Sequence, residues 1–121
     1  MSIDVSSATL RQDVERLIQS VSETTILPRY KSLAKEEIKT KSGPGDLVTI
    51  ADEEAEQKLA AGLVALLPDS MVIGEEAAAT DPAVLDLLTR PGAVWIIDPI
   101  DGTSNFVAGR DAFGVIVALV E

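Results

Sequence analysis

The apolar segment 94–97 constrains the fold of this chain most, because it is β-prone and is followed at once by acidic residues. Such a run of β-branched and aromatic residues predicts a buried strand, which we expect to stop at Asp98 and Pro99. Asp98 and Asp101 stand three positions apart around the proline. The segment therefore predicts a strand that brings two carboxylates to one end of a sheet.

The string WIIDPIDGTSNF, residues 95–106, contains the donor groups of a hard-cation site. Mg²⁺ takes carboxylate and backbone carbonyl oxygens, and the spacing of Asp98 and Asp101 also places the Ile100 carbonyl nearby. The alternative is a plain strand-ending turn, because Asp, Pro and Gly are common turn residues. The full string favours a metal site over that turn.

Gly102, Thr103 and Ser104 follow the two aspartates directly. If a helix begins here, its first backbone amides have no partner within the helix. These amides would point outward beside the metals and offer a site for a phosphate oxygen. The three residues are therefore candidates for phosphate binding.

A second acidic pair, Glu75 and Glu76, follows the apolar residues 71–73, which predict a buried strand running into Gly74. Because functional sites gather at the ends of strands, these carboxylates are candidates for the same site. The alternative is a solvated loop, since glutamate is usually exposed. Taken alone, the pair favours the loop.

Asp52 begins a third acidic region, which also contains Glu53, Glu54 and Glu56. It stands three positions after Thr49, which is the spacing of a capping box, ahead of a helical stripe of apolar residues. Acidic residues in the first turn stabilise a helix by about 0.3 to 1 kcal/mol through its dipole. On its own, Asp52 is therefore interpreted as a helix cap.

At 121 residues the chain is long enough for one domain, and two are not expected. Apolar spacing and turn residues predict its remaining elements. The first is a helix from Ala8 toward Leu27, capped by Ser6 or Ser7 and ended or kinked at Pro28. A short strand over 36–41 and a turn over 42–45 follow, and then a helix that Leu47 and Val48 lead into and Pro68 stops. The last two are a short helix from Pro82 through Leu88, capped by Asp81, and a final strand over 113–120.

The sequence contains no cysteine and no histidine. These absences exclude disulfides, thiolate nucleophiles, Ser-His-Asp triads and Cys/His zinc sites, so any catalysis must use carboxylates, hydroxyls or metals. Ten basic and twenty acidic residues give a net charge of −10, which disfavours nucleic acid and anionic membranes as partners. Because the start is unlike a signal peptide and no apolar run spans a bilayer, we expect a cytoplasmic protein.

Three motifs together resemble one family. DLVTIAD (46–52), IGEE (73–76) and WIIDPIDGTSNF (95–106) have the order and approximate spacing of the inositol monophosphatase family of Mg²⁺-dependent, lithium-sensitive phosphatases. The resemblance implies an α+β fold, a layered sandwich of the sugar-phosphatase type with a largely antiparallel sheet and a helix pair. Residues 1–121 would form the N-terminal, metal-binding half of such a domain. The final strand ends at Glu121 with no turn signal, no polar tail and no partner strand after it, so we expect a truncated chain.

The resemblance also implies a set of metal ligands. Glu75, Asp98 and the Ile100 carbonyl would hold one Mg²⁺, and Asp98 and Asp101 would hold a second. Glu75 would help to hold a weaker third ion. Two or three Mg²⁺ ions are therefore the expected cofactors.

The remaining roles follow from the same resemblance. Thr103, paired with Asp52, would orient and deprotonate the attacking water, with Glu75 beside them as part of the catalytic set. The amides of Gly102 and Thr103 would bind the phosphate. Further candidate site residues are Lys41, Glu76 and Ser104.

One departure from the family pattern bears on activity. The family completes its second metal site with an aspartate in a W-D-x-A-A-G type motif that lies beyond residue 121, as does much of the sugar-binding surface. With only two protein carboxylates we expect the second metal to bind weakly. We also expect the last strand to leave an exposed sheet edge.

The expected function is Mg²⁺-dependent hydrolysis of a phosphomonoester, with inositol monophosphate as the preferred substrate. One alternative is a catalytically silent fragment that binds metal or a partner subunit. Another is a phosphatase of the same fold acting on histidinol phosphate, fructose 1,6-bisphosphate or 3′-phosphoadenosine 5′-phosphate, and a third is a structural domain whose acids are solvated. The expected partner is a small phosphorylated substrate rather than nucleic acid or a membrane, and a homodimer stays open because family members commonly dimerise.

Overall fold

The structure is a computed structural model that describes residues 8–40 and 47–121. Within these residues, two longer helices pack against each other and against a three-stranded sheet. The described elements are α1 (Ala8–Val21), β1 (Ile38–Thr40), β2 (Leu47–Thr49), α2 (Ile50–Leu66), β3 (Met71–Gly74), α3 (Glu75–Thr80), β4 (Val94–Asp101), α4 (Thr103–Val107) and β5 (Gly114–Val120). This arrangement confirms the predicted α+β class with its helix pair.

The three-stranded sheet has the order β3-β4-β5. Strand β3 runs parallel to β4, and Gly74 lies opposite Ile97, whereas β5 runs antiparallel to β4. Strands β1 and β2 form a separate antiparallel pair. Two of the three pairings among the described strands are therefore antiparallel, and the parallel pairing brings the ends of β3 and β4 to the same edge of the sheet.

Helix α2 forms the centre of the core. Its residues Ala55, Leu59 and Leu63 have no solvent exposure, which agrees with the apolar stripe read from the sequence. Helix α1 approaches it closely at Gly62, where a Cβ atom would overlap the side chain of Leu17. Burial of this apolar face against α1 and β4 fixes the position of the acidic residues at the start of α2.

The first helix changes its geometry before Pro28. Helix α1 ends at Val21, and a π-helical turn, Ser22–Ile26, leads into a 3₁₀ turn, Leu27–Arg29. Pro28 stands in the first turn of that 3₁₀ segment, where a backbone N–H would have no partner within the helix. The N–H that proline lacks is therefore not needed there. Helical backbone thus continues to Leu27 as predicted, but the α-helix itself ends at Val21, and the helical turns end one residue after Pro28. The predicted cap residues Ser6 and Ser7 and the turn over 42–45 lie outside the described residues.

The predicted end of the central strand is wrong. Strand β4 does not stop at Asp98 but continues through Pro99 to Asp101. Its register with β5 shifts between Asp98 and Asp101, which pair with Ile116 and Gly114. A bulge of this kind accommodates a proline in a strand because the ladder is already interrupted there.

The neighbouring segments agree with the prediction in part. Leu47 and Val48 lead into α2 as predicted, and with Thr49 they form β2. Of the strand predicted over 36–41, β1 contains residues 38–40, the two residues before it are 3₁₀ helical, and Lys41 lies outside the described residues. The Glu75 and Glu76 pair does not form a loop, because it begins α3. The predicted helix after Asp81 is confirmed with 3₁₀ geometry over Pro82–Thr89.

Among the helices that the structure describes, none combines the length and the apolar character that crossing a membrane requires.

Candidate active site

Asp52 is buried at the start of α2, where it exchanges hydrogen bonds with Thr49. Its Oδ2 atom accepts from the Thr49 backbone N–H at 2.8 Å and from the Thr49 hydroxyl at 2.6 Å. The Thr49 hydroxyl oxygen in turn accepts from the N–H groups of Ala51 and Asp52 at 3.1 and 3.3 Å. The capping box predicted from the sequence is therefore present, and it holds one oxygen of the carboxylate in place.

The other oxygen of Asp52 faces α4. Its Oδ1 atom accepts a hydrogen bond from the Thr103 hydroxyl at 2.9 Å. The same hydroxyl lies 3.0 Å from the Ile100 carbonyl oxygen, so one proton is shared between two acceptors. Asp52 is only 1% exposed whereas Thr103 is half-buried, so this contact joins α2 and α4 at the boundary between the core and solvent.

Gly102 forms the turn that places Thr103. Its φ is +90° and its ψ is 39°, a left-handed conformation that glycine adopts without a steric penalty. A Cβ atom at this position would also lie 2.6 Å from the carbonyl oxygen of Ala112. Helix α4 then begins at Thr103, which is the condition that the sequence analysis set for a phosphate-binding role of these residues.

Asp98 lies in β4 with one carboxylate oxygen in an unusual environment. Within the described part of the chain, its Oδ1 atom is buried and has no hydrogen-bond partner. The pKa of Asp98 is raised from 3.8 to about 7, first by burial and then by a hydrogen bond to Glu75. The negative charges of Glu75, Asp101 and Asp52 raise this pKa further. Three acidic residues from three elements therefore disfavour the ionised form of Asp98.

The parallel pairing of β3 and β4 explains why Glu75 reaches Asp98. Gly74 lies opposite Ile97 in the register of the two strands. The residue after Gly74 is Glu75, and the residue after Ile97 is Asp98. Glu75 is the first residue of α3 and is exposed, as is Asp101 at the end of β4. The acidic residues predicted from separate motifs thus share one edge of the sheet.

The donor set fits a divalent cation. A buried carboxylate oxygen without a partner, beside three further acids, is costly unless a positive charge compensates it. Carboxylates and a backbone carbonyl are the ligands that Mg²⁺ prefers. Within residues 8–40 and 47–121, no three acidic side chains converge on one point where a metal ion could bind. Coordination of one ion by three carboxylates would therefore need the exposed Glu75 and Asp101 side chains to change rotamer.

The other predicted site residues are less closely connected. Lys41 lies outside the described residues. Ser104 is exposed on α4, one position after Thr103. Glu76 lines a cavity of about 280 Å³ together with Lys39 and Glu53, and neither Asp98 nor the three acids around it contribute to its lining.

The sequence interpretation missed one contact, which Glu56 makes. Its carboxylate accepts hydrogen bonds from the backbone N–H groups of Glu76 at 2.7 Å and Ala77 at 3.0 Å. Glu56 stands four positions after Asp52, so the helical period already places both carboxylates on one face of α2. The four-residue spacing could have pointed to Glu56 from the sequence, but it does not show which backbone groups Glu56 contacts.

A model of the inositol monophosphatase family matches residues 10–121. The inositol-1-monophosphatase of Bacillus subtilis is 32% identical over 118 residues, which cover 98% of this chain and 38% of that protein. Among solved structures, the Thermotoga maritima IMPase aligns with a TM-score of 0.73 and 28% identity over 95% of this chain and 40% of that one.

An IMPase/NADP phosphatase complexed with Mg²⁺ and phosphate aligns with a TM-score of 0.63 and 28% identity, covering 93% of this chain and 40% of that chain. The chain therefore spans about two fifths of the length of the relatives it matches. All three similarities extend over both helices and the sheet that carry the acidic residues.

Proposed function

Because this chain belongs to the inositol monophosphatase family, we propose that its acidic site takes part in Mg²⁺-dependent hydrolysis of a phosphomonoester, with inositol monophosphate as the substrate. The observation that carries the proposal is the hydrogen bond between Thr103 and Asp52 beside the unpartnered oxygen of Asp98. A hydroxyl-carboxylate pair next to a cation site supplies what water activation needs.

Glu75, Asp98 and the Ile100 carbonyl would hold the first Mg²⁺, and Asp98 and Asp101 the second. Glu75 would also contribute to a third. Bound Mg²⁺ would offset the charges of the carboxylates and the phosphate and lower the pKa of a bound water. The raised pKa of Asp98 and its unpartnered Oδ1 support this assignment, because burial and nearby acids disfavour the ionised carboxylate and no donor satisfies that oxygen, and a bound cation would offset both costs.

Asp52 and Thr103 would act on the attacking water. The Thr103 hydroxyl donates its proton toward Asp52 Oδ1, which leaves the lone pairs of Thr103 Oγ1 directed at a water molecule. As the water attacks phosphorus, its proton passes to Thr103 Oγ1 while the original hydroxyl proton passes to Asp52 Oδ1. The bond between phosphorus and the alcohol oxygen breaks at the same time, and the leaving alcohol oxygen takes a proton from a solvent water. Thr49 holds Asp52 Oδ2 throughout, so the accepting oxygen keeps its direction.

The backbone amides of Gly102 and Thr103 would bind a phosphate oxygen, and the left-handed turn at Gly102 supports this role because it turns the chain away from β4. Lys41, Glu76 and Ser104 are proposed as further residues of the site, without an assigned role. Residues 1–121 are proposed to be the N-terminal, metal-binding half of the family domain. Lithium sensitivity, a cytoplasmic location and a homodimer are proposed with them.

The first test is Mg²⁺-dependent phosphate release from myo-inositol 1-phosphate by the chain and by its Asp98→Asn variant. Asp86→Asn is the matched control, because it removes the same charge from an exposed position on the 3₁₀ segment. We expect release that Asp98→Asn abolishes and Asp86→Asn preserves. Release that survives in Asp98→Asn would contradict the proposed site.

Calorimetry with Mg²⁺ separates the competing function. The chain spans 38% of its Bacillus relative. This partial coverage favours a second candidate function, in which the segment binds metal but does not hydrolyse a phosphomonoester. That candidate predicts Mg²⁺ binding that is lost in Asp98→Asn, without phosphate release by either protein. Parallel assays with histidinol phosphate, fructose 1,6-bisphosphate and 3′-phosphoadenosine 5′-phosphate would identify a different substrate.

A further inference from the structure

Glu56 connects helix α2 to the first turn of α3. Its two carboxylate oxygens accept separately, Oε1 from the Glu76 N–H at 2.7 Å and Oε2 from the Ala77 N–H at 3.0 Å. The first N–H groups of a helix have no partner within it, and a carboxylate satisfies them strongly. Glu56 therefore fastens the beginning of α3, where Glu75 stands, to the side of α2.

Gly74 provides the space for this contact. Its φ of −95° is accessible to every residue type, so the backbone conformation does not require glycine. A Cβ atom at Gly74 would instead overlap the carboxyl group of Glu56. Position 74 therefore carries no side chain because the carboxyl group of Glu56 occupies that space.

Two carboxylates one turn apart on α2 hold two different parts of the site. Asp52 accepts from Thr103 at the start of α4, and Glu56 accepts from the start of α3. Both contacts depend on the same rigid helix, whose buried face packs in the core. The relative position of Thr103 and Glu75 is thus set by α2.

We propose that Glu56 is a positioning residue that fixes the start of α3 so that Glu75 faces Asp98. The consequence for metal affinity rests on the proposed function, in which Glu75 and Asp98 share a Mg²⁺ ligand set. Groups that hold a metal ligand in place typically change metal affinity by about 10 to 100-fold when they are removed. Glu56 adds negative charge beside an acidic site, and the two amide bonds offset this cost.

The first readout is backbone amide hydrogen exchange at Glu76 and Ala77, which does not depend on metal. Glu56→Ala removes both acceptors, so we expect these two amides to exchange faster while the amides in the middle of α2 keep their protection. Glu56→Gln retains one good acceptor oxygen and should give an intermediate result. Unchanged exchange at both amides in Glu56→Ala would overturn the proposal.

The second readout is the Mg²⁺ dissociation constant from calorimetry. We expect Glu56→Ala to raise it about 10 to 100-fold. Glu54→Ala is the matched control, because it removes the same charge from the same helix but from a side chain paired with Arg29 at 2.8 Å. Equal weakening by Glu54→Ala and Glu56→Ala would mean that charge rather than position is responsible, and would also overturn the proposal.

Gly74→Ala tests the same contact without removing any charge. Its Cβ should displace the Glu56 carboxyl group, so we expect fast exchange at Glu76 and Ala77 and weak Mg²⁺ binding as in Glu56→Ala. In the Glu56→Ala background the added methyl meets no carboxyl group, and Gly74→Ala should have little further effect. Fully additive effects of the two substitutions would contradict the proposed contact.

Asp98→Asn in the same titrations separates this proposal from the proposed function. If Asp98→Asn leaves Mg²⁺ affinity unchanged, the proposed metal site is wrong, and amide exchange alone decides the role of Glu56. If Asp98→Asn weakens binding but Glu56→Ala does not, the metal site stands and the positioning role is overturned.

Discussion

The Thr103 hydroxyl donates a hydrogen bond to Asp52 Oδ1 at 2.9 Å across 51 positions of sequence. The second oxygen of Asp52 accepts from Thr49 and completes the cap of α2. Helix capping and participation in a site are therefore not alternatives for Asp52, because each role uses a different oxygen.

Thr103→Ala should abolish the proposed water activation and leave Mg²⁺ binding nearly unchanged. Loss of a positioned proton-transfer group typically reduces the rate by about 10² to 10⁴-fold. Thr103→Ser keeps the hydroxyl and should retain most of the activity. The measurement is kcat with myo-inositol 1-phosphate beside Mg²⁺ calorimetry, and equal activity of the Ala and wild-type proteins would remove Thr103 from the mechanism.

Thr49→Val should lower the free energy of unfolding, because it removes the hydroxyl that bonds Asp52 and accepts from two amides. Loss of a helix cap costs about 0.5 to 2 kcal/mol. The variant should also lower kcat, since Asp52 then loses one of the groups that orient it. Urea denaturation measures the first effect, and Thr40→Val at an exposed position of β1 provides a control. An unfolding midpoint equal to that of the control would contradict the role of the cap.

The local features of this fold were predictable from the sequence. The capping box at Thr49 and Asp52 needs only a three-residue spacing, and the buried faces of α2 and β4 follow from apolar periodicity. Pro82 and Asp81 likewise mark a helix start through their own backbone preferences.

Features that depend on distant pairing were not predictable in this way. Asp and Pro favour a strand end, but β4 continues because Asp101 pairs with Gly114 beyond the register shift. The partners of Glu56 likewise depend on how α2 packs against α3. The pairing of Asp52 with Thr103 was expected from the family resemblance, but no spacing within one segment predicts it. The motifs therefore indicated candidate site residues but not the contacts that hold them.

Stability of the metal-free chain should fall as pH rises from about 4 through about 7. The folded chain retains the Asp98 proton up to a pKa of about 7, whereas the unfolded chain releases it near 3.8. The folded state therefore binds more protons in this interval, and the free energy of unfolding decreases with pH. Denaturation at a series of pH values with a chelator measures the slope, and Asp98→Asn should reduce it. An equal slope in the variant would assign the titration to another group.

Gly102→Ala should destabilise the chain and reduce activity together. A non-glycine residue in the left-handed region costs about 1 to 2 kcal/mol, and the new Cβ would lie 2.6 Å from the Ala112 carbonyl oxygen. Relief of this overlap must shift the turn that places Thr103. Gly114→Ala is the matched control, because its Cβ would have no atom within 4 Å. Equal melting temperatures for the two variants would contradict this account of Gly102.

Mg²⁺ should stabilise the wild-type chain, and Asp98→Asn should cancel that effect while stabilising the metal-free form. A ligand that binds only the folded state at ten times its Kd adds about 1.4 kcal/mol of stability. Without metal, the Asp98→Asn substitution removes a charge that burial and three neighbouring acids disfavour, so the variant should melt at a higher temperature than wild type above about pH 7. Adding Mg²⁺ should then reverse the order of the two proteins. If Mg²⁺ raised both melting temperatures equally, the cation would bind away from Asp98.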